Sequence, residues 1–573
     1  MKKSFLVPIC VLFLILFSAS SAWCIVFDLP CERKLYLTGH IDQYARYGLQ
    51  NSNTLPGGGR VGGGYRGLTD ALYSFLFEVH YIHSDMLEFR VGTRLEGDWA
   101  YAINHSQNSW NGKNGFDQSE GQMKRHTHNL QRDFFRECNL NFTTNTFSAR
   151  LGKQTVVWGE TDLFRLMDMF NPLDYQRIYV LRDADYGYEE TRIPLWAVKL
   201  GYQPDIRVDP FTNLMLEFAW TPEVRQTLLN VGPRTGGPWA VPIPHDMPDL
   251  TGLGLGTLKD LDINPGDDHG MRGMSMENST YGIRLRGNWG NTYFTINGFH
   301  AWDEFPIFQT RPGFVGNLGA GGLGILYGVG GPFGGTGGNV DDGFGYGMAL
   351  DKRLYRKDVV GFTLAREMDF LRSFVQTIGQ VANPTVRVES YYQFDKHIAT
   401  RWAQDVKEGV LRVNDGDPDG FNQVLHGIAD GGKGYKKRDV LRYMVGFDWP
   451  LRLRYLNPRK EFFTSFQFTQ EHIFGSVGDR FYFVPYTMKI PRDKMDITFL
   501  ANTEYFHEKV KPQYAMAYDI NHNAYMPKFS CRFWLGDHWR PEIGYMYITG
   551  HTDRSHAWFK KCDNFWAKLQ YQW

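Results

Sequence analysis

Apolar and polar residues alternate with a period of two along many segments of the chain. Residues 75–81 read FLFEVHY and residues 87–96 read LEFRVGTRLE, and only a few residues separate them. Successive side chains of a β-strand point to opposite faces, so each segment predicts a strand with one apolar and one charged face. The short separation predicts a hairpin. The same pattern returns in 386–395 and 441–449.

The last nine residues, 565–573, show the alternation most clearly and end on an aromatic residue. Its apolar face carries Ala567 and the residues Phe565, Leu569, Tyr571 and Trp573. The strand resembles the C-terminal signal of outer-membrane barrels. That resemblance implies recognition by the barrel-assembly machinery, with the terminal aromatic side chain facing lipid. The alternative is an edge strand of a soluble sheet.

The first 22 residues have the features of a secretory signal peptide. Lys2 and Lys3 precede an apolar run over 5–17, and small residues fill 18–22. We therefore expect residues 1–22 to be removed and residues 23–573 to form the mature protein. Lipidation at Cys24 is not expected, because the bulky Trp23 precedes it.

Composition narrows the fold class. After the signal peptide no segment approaches the ~20 continuous apolar residues that a membrane helix needs, although aromatic residues make up 16% of the chain and 62 residues are glycine. In an exported chain, this composition without a spanning helix is typical of an all-β fold, namely a transmembrane antiparallel β-barrel. We expect one such domain over 23–573, located in the outer membrane of a Gram-negative bacterium. The formal net charge of zero gives no reason to expect a nucleic-acid partner.

Connection lengths are lopsided, as they are in barrels with short periplasmic turns and long extracellular loops. The long loops that we expect outside, or folded into the lumen, are 158–191, 222–277, 303–342 and 397–437. About nineteen segments are candidate strands, but a single-chain barrel with both ends in the periplasm needs an even number. The doubtful segment is 370–379, either a strand or a loop helix. We predict about 18 strands, within a range of 16–20.

Polar residues on the inward-facing positions of the strands are predicted to line the lumen; they are Glu88, Arg90, Arg94, Glu96, Arg150, Gln154, Arg387 and Glu389. Lys153 has the wrong parity for that face. Either Gly152 marks a bulge that turns Lys153 inward, or the ammonium of Lys153 snorkels toward the membrane interface.

The most distinctive segment reads RLGKQTVVWGE over 150–160 and continues to Asp174. Its notable residues are Trp158, Gly159, Glu160, Asp162, Asp168, Asn171 and Asp174, with Arg165 and Arg177 nearby. One hypothesis is a lumen constriction that selects solutes. The other is a loop whose salt bridges and Asn-Pro turn serve folding alone.

At these residues the chain resembles the outer-membrane family catalogued as domain of unknown function 1302 (DUF1302). In that family an Arg-x-Gly-x-Gln strand runs into Trp-Gly-Glu and then Asp-x-x-Asn-Pro-x-Asp, as 150–174 does here. The resemblance implies a porin-like barrel that accompanies periplasmic lipid-carrier-like proteins and inner-membrane resistance-nodulation-division transporters of hydrophobic compounds. It implies no established substrate.

A calcium site is one hypothesis for the loop 397–437. Asp415, Asp417 and Asp419 alternate and precede a glycine, as oxygen ligands do in the first half of a calcium loop. Against it, His426 stands where an EF-hand has its bidentate glutamate, and such clusters are common in plain turns. No other cofactor is expected.

The function that these features favour is an outer-membrane channel for small or hydrophobic solutes. A lipid-modifying barrel enzyme is an alternative, but the chain has no Ser-centred motif such as Gly-x-Ser-x-Gly. A structural or adhesin barrel is the other alternative, and it predicts a closed lumen.

Overall fold

A computed structural model describes most of the chain. The described residues are 25–50, 66–100, 134–161, 165–174, 191–206, 208–225, 227, 274, 276–303, 307–310, 350–380, 382–399, 435–475, 481–482, 489–550 and 559–573. They are almost entirely β-strand, as the period-two alternation predicts.

The strands follow one another along the chain with few interruptions. They are β1 (Ile25–Leu29), β2 (Arg33–Gly48), β3 (Gly67–Ser84), β4 (Leu87–Asp98), β5 (Phe135–Thr143), β6 (Phe147–Gln154), β7 (Leu195–Tyr202), β8 (Phe211–Thr221), β9 (Thr280–Trp289), β10 (Thr292–Trp302), β11 (Ile307–Thr310), β12 (Leu350–Arg353), β13 (Arg356–Glu367), β14 (Thr385–Ala399), β15 (Tyr435–Leu451), β16 (Phe462–Ile473), β17 (Phe481–Tyr482), β18 (Lys489–Ile490), β19 (Asp493–Asn502), β20 (Val510–Asp519), β21 (Ala524–Phe533), β22 (Trp539–Met546) and β23 (Asn564–Gln572).

Eighteen of these strands form a closed antiparallel barrel. Successive strands pair as neighbours, and the sheet closes where β2 pairs with β23, from His40 opposite Gln572 to Gly48 opposite Asn564. The strands β1, β17 and β18 extend the same sheet, while β11 and β12 form a separate pair. The prediction of about 18 strands is confirmed.

The two ends of the barrel differ in their connections. At one end, called here the short-loop end, the chain turns within a few residues, as at 85–86, 144–146 and 290–291. The opposite, long-loop end carries the connections 155–194, 222–279, 303–355 and 400–434, which contain most of the four predicted loops. The C-terminus lies at the short-loop end, because β23 runs toward it.

The doubtful segment 370–379 belongs to the connection between β13 and β14 at the short-loop end. It contains a 3₁₀ turn, Asp369–Leu371, and a short helix α1, Arg372–Thr377. It is therefore not a strand, which resolves the odd strand count. Among the described residues no helix is both long and apolar enough to cross a membrane.

The two faces of the sheet differ in chemistry. On β13, Val360 and Phe362 are exposed on the outer face, whereas Val359 and Thr363, on the inner face, are buried. Residues directly across from one another share a face, so Glu389, which pairs with Thr363, points inward. The outer face is thus apolar, as the sequence alternation predicts, while the inner face carries polar side chains such as Thr363 and Glu389 together with apolar ones such as Val359.

Candidate functional site: a segment inserted into the lumen

The described part of the connection from β6 to β7 folds back inside the barrel. Its residues 155–161 and 165–174, called here the inserted segment, contribute the buried side chains Val156, Trp158, Leu166, Met167, Met169 and Phe170 to one apolar cluster. The rest of the cluster comes from barrel strands: Leu195, Ala197, Ala219, Phe299, Val359, Tyr391 and Met444. These strands run from β7 to β15, so the inserted segment lies along one inner wall and is held there by apolar packing.

Two glycines of that wall make room for side chains of the inserted segment. A Cβ at Gly282 would lie 2.7 Å from Cζ3 of Trp158, and a Cβ at Gly361 would lie 2.5 Å from Sδ of Met167. Real Cβ atoms do not come that close to other atoms, so a larger residue at either position would displace the segment.

Asn171 links the start and the end of the connection between β6 and β7. Its Oδ1 accepts a hydrogen bond from the backbone N–H of Val156 (2.7 Å), and its Nδ2 donates to the carbonyl of Ile193 (2.9 Å). One arm leaves β6 and the other enters β7. A single amide side chain therefore fixes both ends of the inserted segment to each other.

Two arginines of the connection between β6 and β7 bind Asp168. Nε of Arg192 donates to Oδ2 of Asp168 (2.6 Å), and Nε of Arg165 donates to the Asp168 carbonyl (2.6 Å). At the end of the segment, the N–H of Asp174 donates to the carbonyl of Thr191 (2.7 Å). Salt-bridged folding of the loop is thus present, and it occurs inside the barrel.

Two residues of β14 tie the inserted segment to the wall. The carboxylate of Glu389 accepts from the N–H of Glu160 (2.8 Å) and from the N–H of Met167 (2.6 Å). Nη1 of Arg387 donates to the carbonyl of Glu160 (2.5 Å), and its Nη2 donates to Asp448 (3.0 Å). Both strand residues were predicted to face the lumen, and the structure brings them to the Trp-Gly-Glu turn.

The carboxylate of Glu160 lies in a partly buried, positively charged setting. Glu160 is in the loop, outside the barrel strands. Burial raises the pKa of its carboxyl above the ordinary value, and the nearby guanidinium groups of Arg387 and Arg284 oppose that rise. Its backbone is already anchored at both N–H and carbonyl. The Cα of Glu160 is therefore fixed, which keeps its carboxylate near these two guanidinium groups.

Arg284 on β9 connects the inserted segment to the charged groups of the adjoining wall. Its Cζ lies 5.1 Å from the centre of the Trp158 ring, within range of a cation–π contact. Its Nε donates to Glu217 (2.5 Å), which also contacts Nζ of Lys199 at 3.1 Å. The charges on β7, β8 and β9 are thus paired across the strands.

The other predicted lumen residues have inward parity but lie away from the inserted segment. Arg90 contacts Glu88 (3.1 Å) near the short-loop end, and Arg94 contacts Glu96 (3.1 Å) further along β4. Arg150 donates to Asn141 (2.8 Å). The arginines that contact the inserted segment are instead Arg165, Arg192 and Arg387.

Gln154 and Lys153 end β6, where the inserted segment begins. Gln154 is fully buried, and its Nε2 donates to the carbonyl of Ala197 (2.9 Å). Gly152 has a φ of 128°, and Lys153 is 6% exposed, against 42% for the outward-facing Leu151. A snorkelling lysine would be exposed, so the burial of Lys153 does not fit that alternative. The strand pairing continues through Gly152 without a register shift, so Gly152 does not form the predicted β-bulge either.

The terminal strand has the predicted parity. Phe565 and Leu569 are exposed on the outer face, while Tyr571 packs edge-on against Trp539. Trp573 lies over Gly39, where a Cβ would be 2.5 Å from its Cζ2, and its backbone N–H donates to the Gly39 carbonyl (3.1 Å). The closing aromatic residue is thus seated at the seam of the barrel.

Several predicted residues lie outside the described part of the chain: the signal peptide, Asp162, and the proposed calcium ligands Asp415, Asp417 and Asp419. Within the described residues, no group of three or more His, Cys, Asp or Glu side chains is placed to hold a metal ion.

Sequence reasoning missed the residues that receive the inserted segment. Arg284 and Arg286 alternate with Ile283 and Leu285 on β9, so the period-two signal could have found them. Gly282 and Gly361 could not have been found in this way, because their role depends on which side chain packs against them.

Comparison with known proteins gives one family match. The model of the family described as "Protein of unknown function (DUF1302)" matches residues 64–572. No curated protein matches the chain.

Several solved outer-membrane proteins are similar in structure. OmpF of Salmonella typhi, in complex with daunomycin, is 7% identical over 96% of this chain and 100% of that chain, with a TM-score of 0.37. OpdK of Pseudomonas aeruginosa, with vanillate, is 6% identical over 94% and 98%, with a TM-score of 0.38. OccAB1 of Acinetobacter baumannii is 9% identical over 94% and 95%, with a TM-score of 0.39. Sequence identities and TM-scores as low as these carry no argument about what the barrel binds or transports.

Proposed function

The chain belongs to the DUF1302 family of proteins of unknown function, and we propose that it is an outer-membrane channel that passes small or hydrophobic solutes. The observation that carries the proposal is the inserted segment, which lies along the inner wall of a closed 18-strand barrel. A barrel of this size leaves an aqueous channel unless loops fill it, and a loop folded against one wall narrows such a channel.

The apolar outer face and the polar inner face support a position in the outer membrane. The proposal includes export by residues 1–22 and insertion by the barrel-assembly machinery through the terminal strand. The short-loop end then faces the periplasm and the long-loop end the outside. A periplasmic carrier and an inner-membrane transporter are the partners that this arrangement would serve.

Within the channel, we infer that the Trp-Gly-Glu turn forms the constriction. Its backbone is fixed by Glu389 and Arg387, and the Glu160 carboxylate lies near the guanidinium groups of Arg387 and Arg284. A carboxylate held next to cations at a narrow place selects solutes by charge as well as by size.

Conductance across planar bilayers tests the proposal. The refolded protein is expected to give stable single-channel current steps. Replacing Trp158 with Ala should change the size of these steps, because it removes the side chain that fills the space between the inserted segment and the wall. The exposed Trp289→Ala at the short-loop end is the matched control and should leave the step size unchanged.

A protein that inserts, as judged by heat-modifiable gel migration, but does not conduct would contradict a channel. That outcome would favour the lipid-modifying enzyme or the structural barrel. Swelling of liposomes in sugars of increasing size would then set the upper limit for solutes of a conducting barrel.

A further inference from the structure

A cavity of about 520 Å³ lies where β10, β13, β14 and β15 reach the long-loop end. Trp302, Arg356, His397 and Lys437 are among the residues that line it. None of them belongs to the inserted segment or to the proposed constriction. The cavity is therefore a separate feature of the barrel.

The pairing of the strands places this cavity on the outer face. Trp302 lies directly opposite Arg356, which has the same parity on β13 as the exposed, outward-facing Val360. Past the register shift between Gln393 and Lys396, His397 lies opposite Lys437. The cavity thus opens toward the surroundings of the barrel and not into the lumen.

Stacked aromatic rings form one side of the cavity. The rings of Tyr355 and His397 are parallel, with centroids 3.9 Å apart and planes at 9°. Tyr435 completes the group, at 4.8 Å from Tyr355 and 4.7 Å from His397. Side chains of this kind combine an apolar ring face with a polar tip, which suits the apolar face and the hydroxyl rim of a sugar ring.

Two cations line the same cavity. Arg356 lies over Trp302, with Cζ 4.1 Å from the ring centre, and donates to the carbonyls of Ser279 (2.5 Å) and Glu277. These contacts fix the guanidinium but leave further N–H groups for an anion. Lys437 is exposed. Within the described part of the chain, neither cation forms a salt bridge.

Two carboxylates are also present, which disfavours a bare inorganic anion. Asp358 is engaged by His300, with Nδ1 2.6 Å from Oδ1. Asp395 is exposed and can accept hydrogen bonds from hydroxyl groups. Aromatic faces, two cations and an accepting carboxylate together match a sugar ring that carries an acidic group.

Beyond the paired His300 and Asp358, the outer face below the cavity is apolar around Gly298. Gly298 lies between Ile283 and Val360, its partners on the two neighbouring strands. Because Gly298 has no side chain, a gap remains between the exposed Ile283 and Val360. These exposed apolar side chains offer a surface on which an acyl chain can pack.

We propose that the cavity and the apolar outer face below it form a binding site for a glycolipid with an acidic sugar head group, in the leaflet that surrounds the long-loop end. The head group lies among Trp302, Tyr355, His397, Arg356 and Lys437, and an acyl chain lies along Gly298. The proposal rests on the part of the proposed function that places the barrel in a membrane, but it does not require conduction.

Native mass spectrometry of the full-length protein tests it, with barrels exchanged from phosphatidylethanolamine nanodiscs that contain a phosphorylated glucosamine-disaccharide lipid. The double variant Arg356→Gln/Lys437→Gln is expected to bind this glycolipid roughly a hundredfold more weakly, since each of the two lost charge-assisted hydrogen bonds weakens binding by about tenfold. The control Lys436→Gln removes the same charge one position away, opposite the buried Ile398, and should retain as much glycolipid as the wild type.

Trp302→Leu is a second variant that keeps both cations, and it should also lose glycolipid. Equal retention by the wild type and both variants would overturn the proposal. So would competition by phosphatidylglycerol or inorganic phosphate as effective as that of the glycolipid, because either shows a site for any anion. The double variant should still insert and conduct, so a wild type that inserts without conducting contradicts the channel and leaves this site standing.

Discussion

Gly282 on β9 provides the space that the Trp158 indole fills. A Cβ at Gly282 would lie 2.7 Å from Cζ3 of Trp158 and 3.0 Å from Cδ1 of Phe299, well inside the ~3.5–4.0 Å at which carbon atoms attract. Trp158 and Phe299 also pack on each other, with ring centroids 5.1 Å apart. The barrel wall is therefore shaped around one side chain of the inserted segment.

The first prediction is that Gly282→Ala destabilises the folded barrel and loosens the inserted segment. Overpacking of a filled site costs about 1–3 kcal/mol, and the cheaper response is for Trp158 to leave its place. We expect a lower midpoint of urea unfolding together with noisier single-channel currents.

Gly298→Ala on β10 is the matched control. A Cβ at Gly298 would meet only Ile283, at 3.6 Å, which is an ordinary contact on the outer face. If both variants lose the same stability, glycine itself matters in these strands and the packing explanation is wrong.

The second prediction concerns Asn171. Asn171→Ala removes the bonds to Val156 and Ile193, leaving one buried donor and one buried acceptor without partners at a cost of about 1–3 kcal/mol each. We expect faster proteolytic cleavage between 155 and 194. Asn383→Ala, which removes an exposed bond to Glu367, should be cleaved at the wild-type rate; equal acceleration in both variants would count against the proposed clamp.

The third prediction concerns the carboxylate that holds the segment from the wall. The carboxylate of Glu389 accepts hydrogen bonds from the N–H groups of Glu160 and Met167. In Glu389→Gln one of the two acceptor oxygens is replaced by an NH₂ group, so one of these bonds is lost, and a bond to a charged group contributes about 1.5–3 kcal/mol. In an Asp168→Cys background, the introduced thiol should therefore react faster with a thiol reagent when Glu389→Gln is also present. Thr363→Val, directly across the strand pair, is the control in the same background. An equal reaction rate with Glu389→Gln, with Thr363→Val and with neither change would refute the role of Glu389.

Alternation alone could predict the barrel, because a membrane barrel must repeat one apolar and one polar face on every strand. It identified the inward parity of Arg387 and Glu389 for the same reason. It could not show that they bind Glu160, more than 200 residues away, since contacts between a loop and a wall leave no periodic signal.

The motif residues show a related limit. Asn171 and Asp168 were expected either to fold the loop or to constrict the lumen, and charge counting cannot separate the two. The structure places both in bonds that hold the inserted segment to itself and to the start of β7, at Arg192 and Ile193. Among the described residues, the carboxylate of Glu160 makes no hydrogen bond of this kind. Lys153 was ambiguous for another reason: strand parity cannot tell whether neighbouring side chains cover a residue, and Lys153 is buried although the strand register at Gly152 is unbroken.

The last prediction is the pH dependence of ion selectivity. Burial raises the pKa of the Glu160 carboxyl above its ordinary value of 4.5, with Arg387 and Arg284 opposing the rise. In the window above 4.5 the folded protein therefore holds a proton that the unfolded chain has released, so stability falls as the pH rises through that window. The same shift means that Glu160 loses its charge on acidification earlier than an exposed carboxylate does.

Reversal potentials in a salt gradient measure the effect. Preference for cations over anions should fall as the pH is lowered, with a midpoint above 4.5, and Glu160→Gln should abolish that step and give the low-pH selectivity at every pH. Glu508→Gln is the control, because Glu508 lies at the short-loop end, where its hydrogen bond with Lys460 lowers its pKa. A midpoint that persists in Glu160→Gln, or that moves in Glu508→Gln, would show that another carboxylate sets the selectivity. A change confined to Glu160→Gln would instead locate the charge that a permeating ion meets at the Trp-Gly-Glu turn.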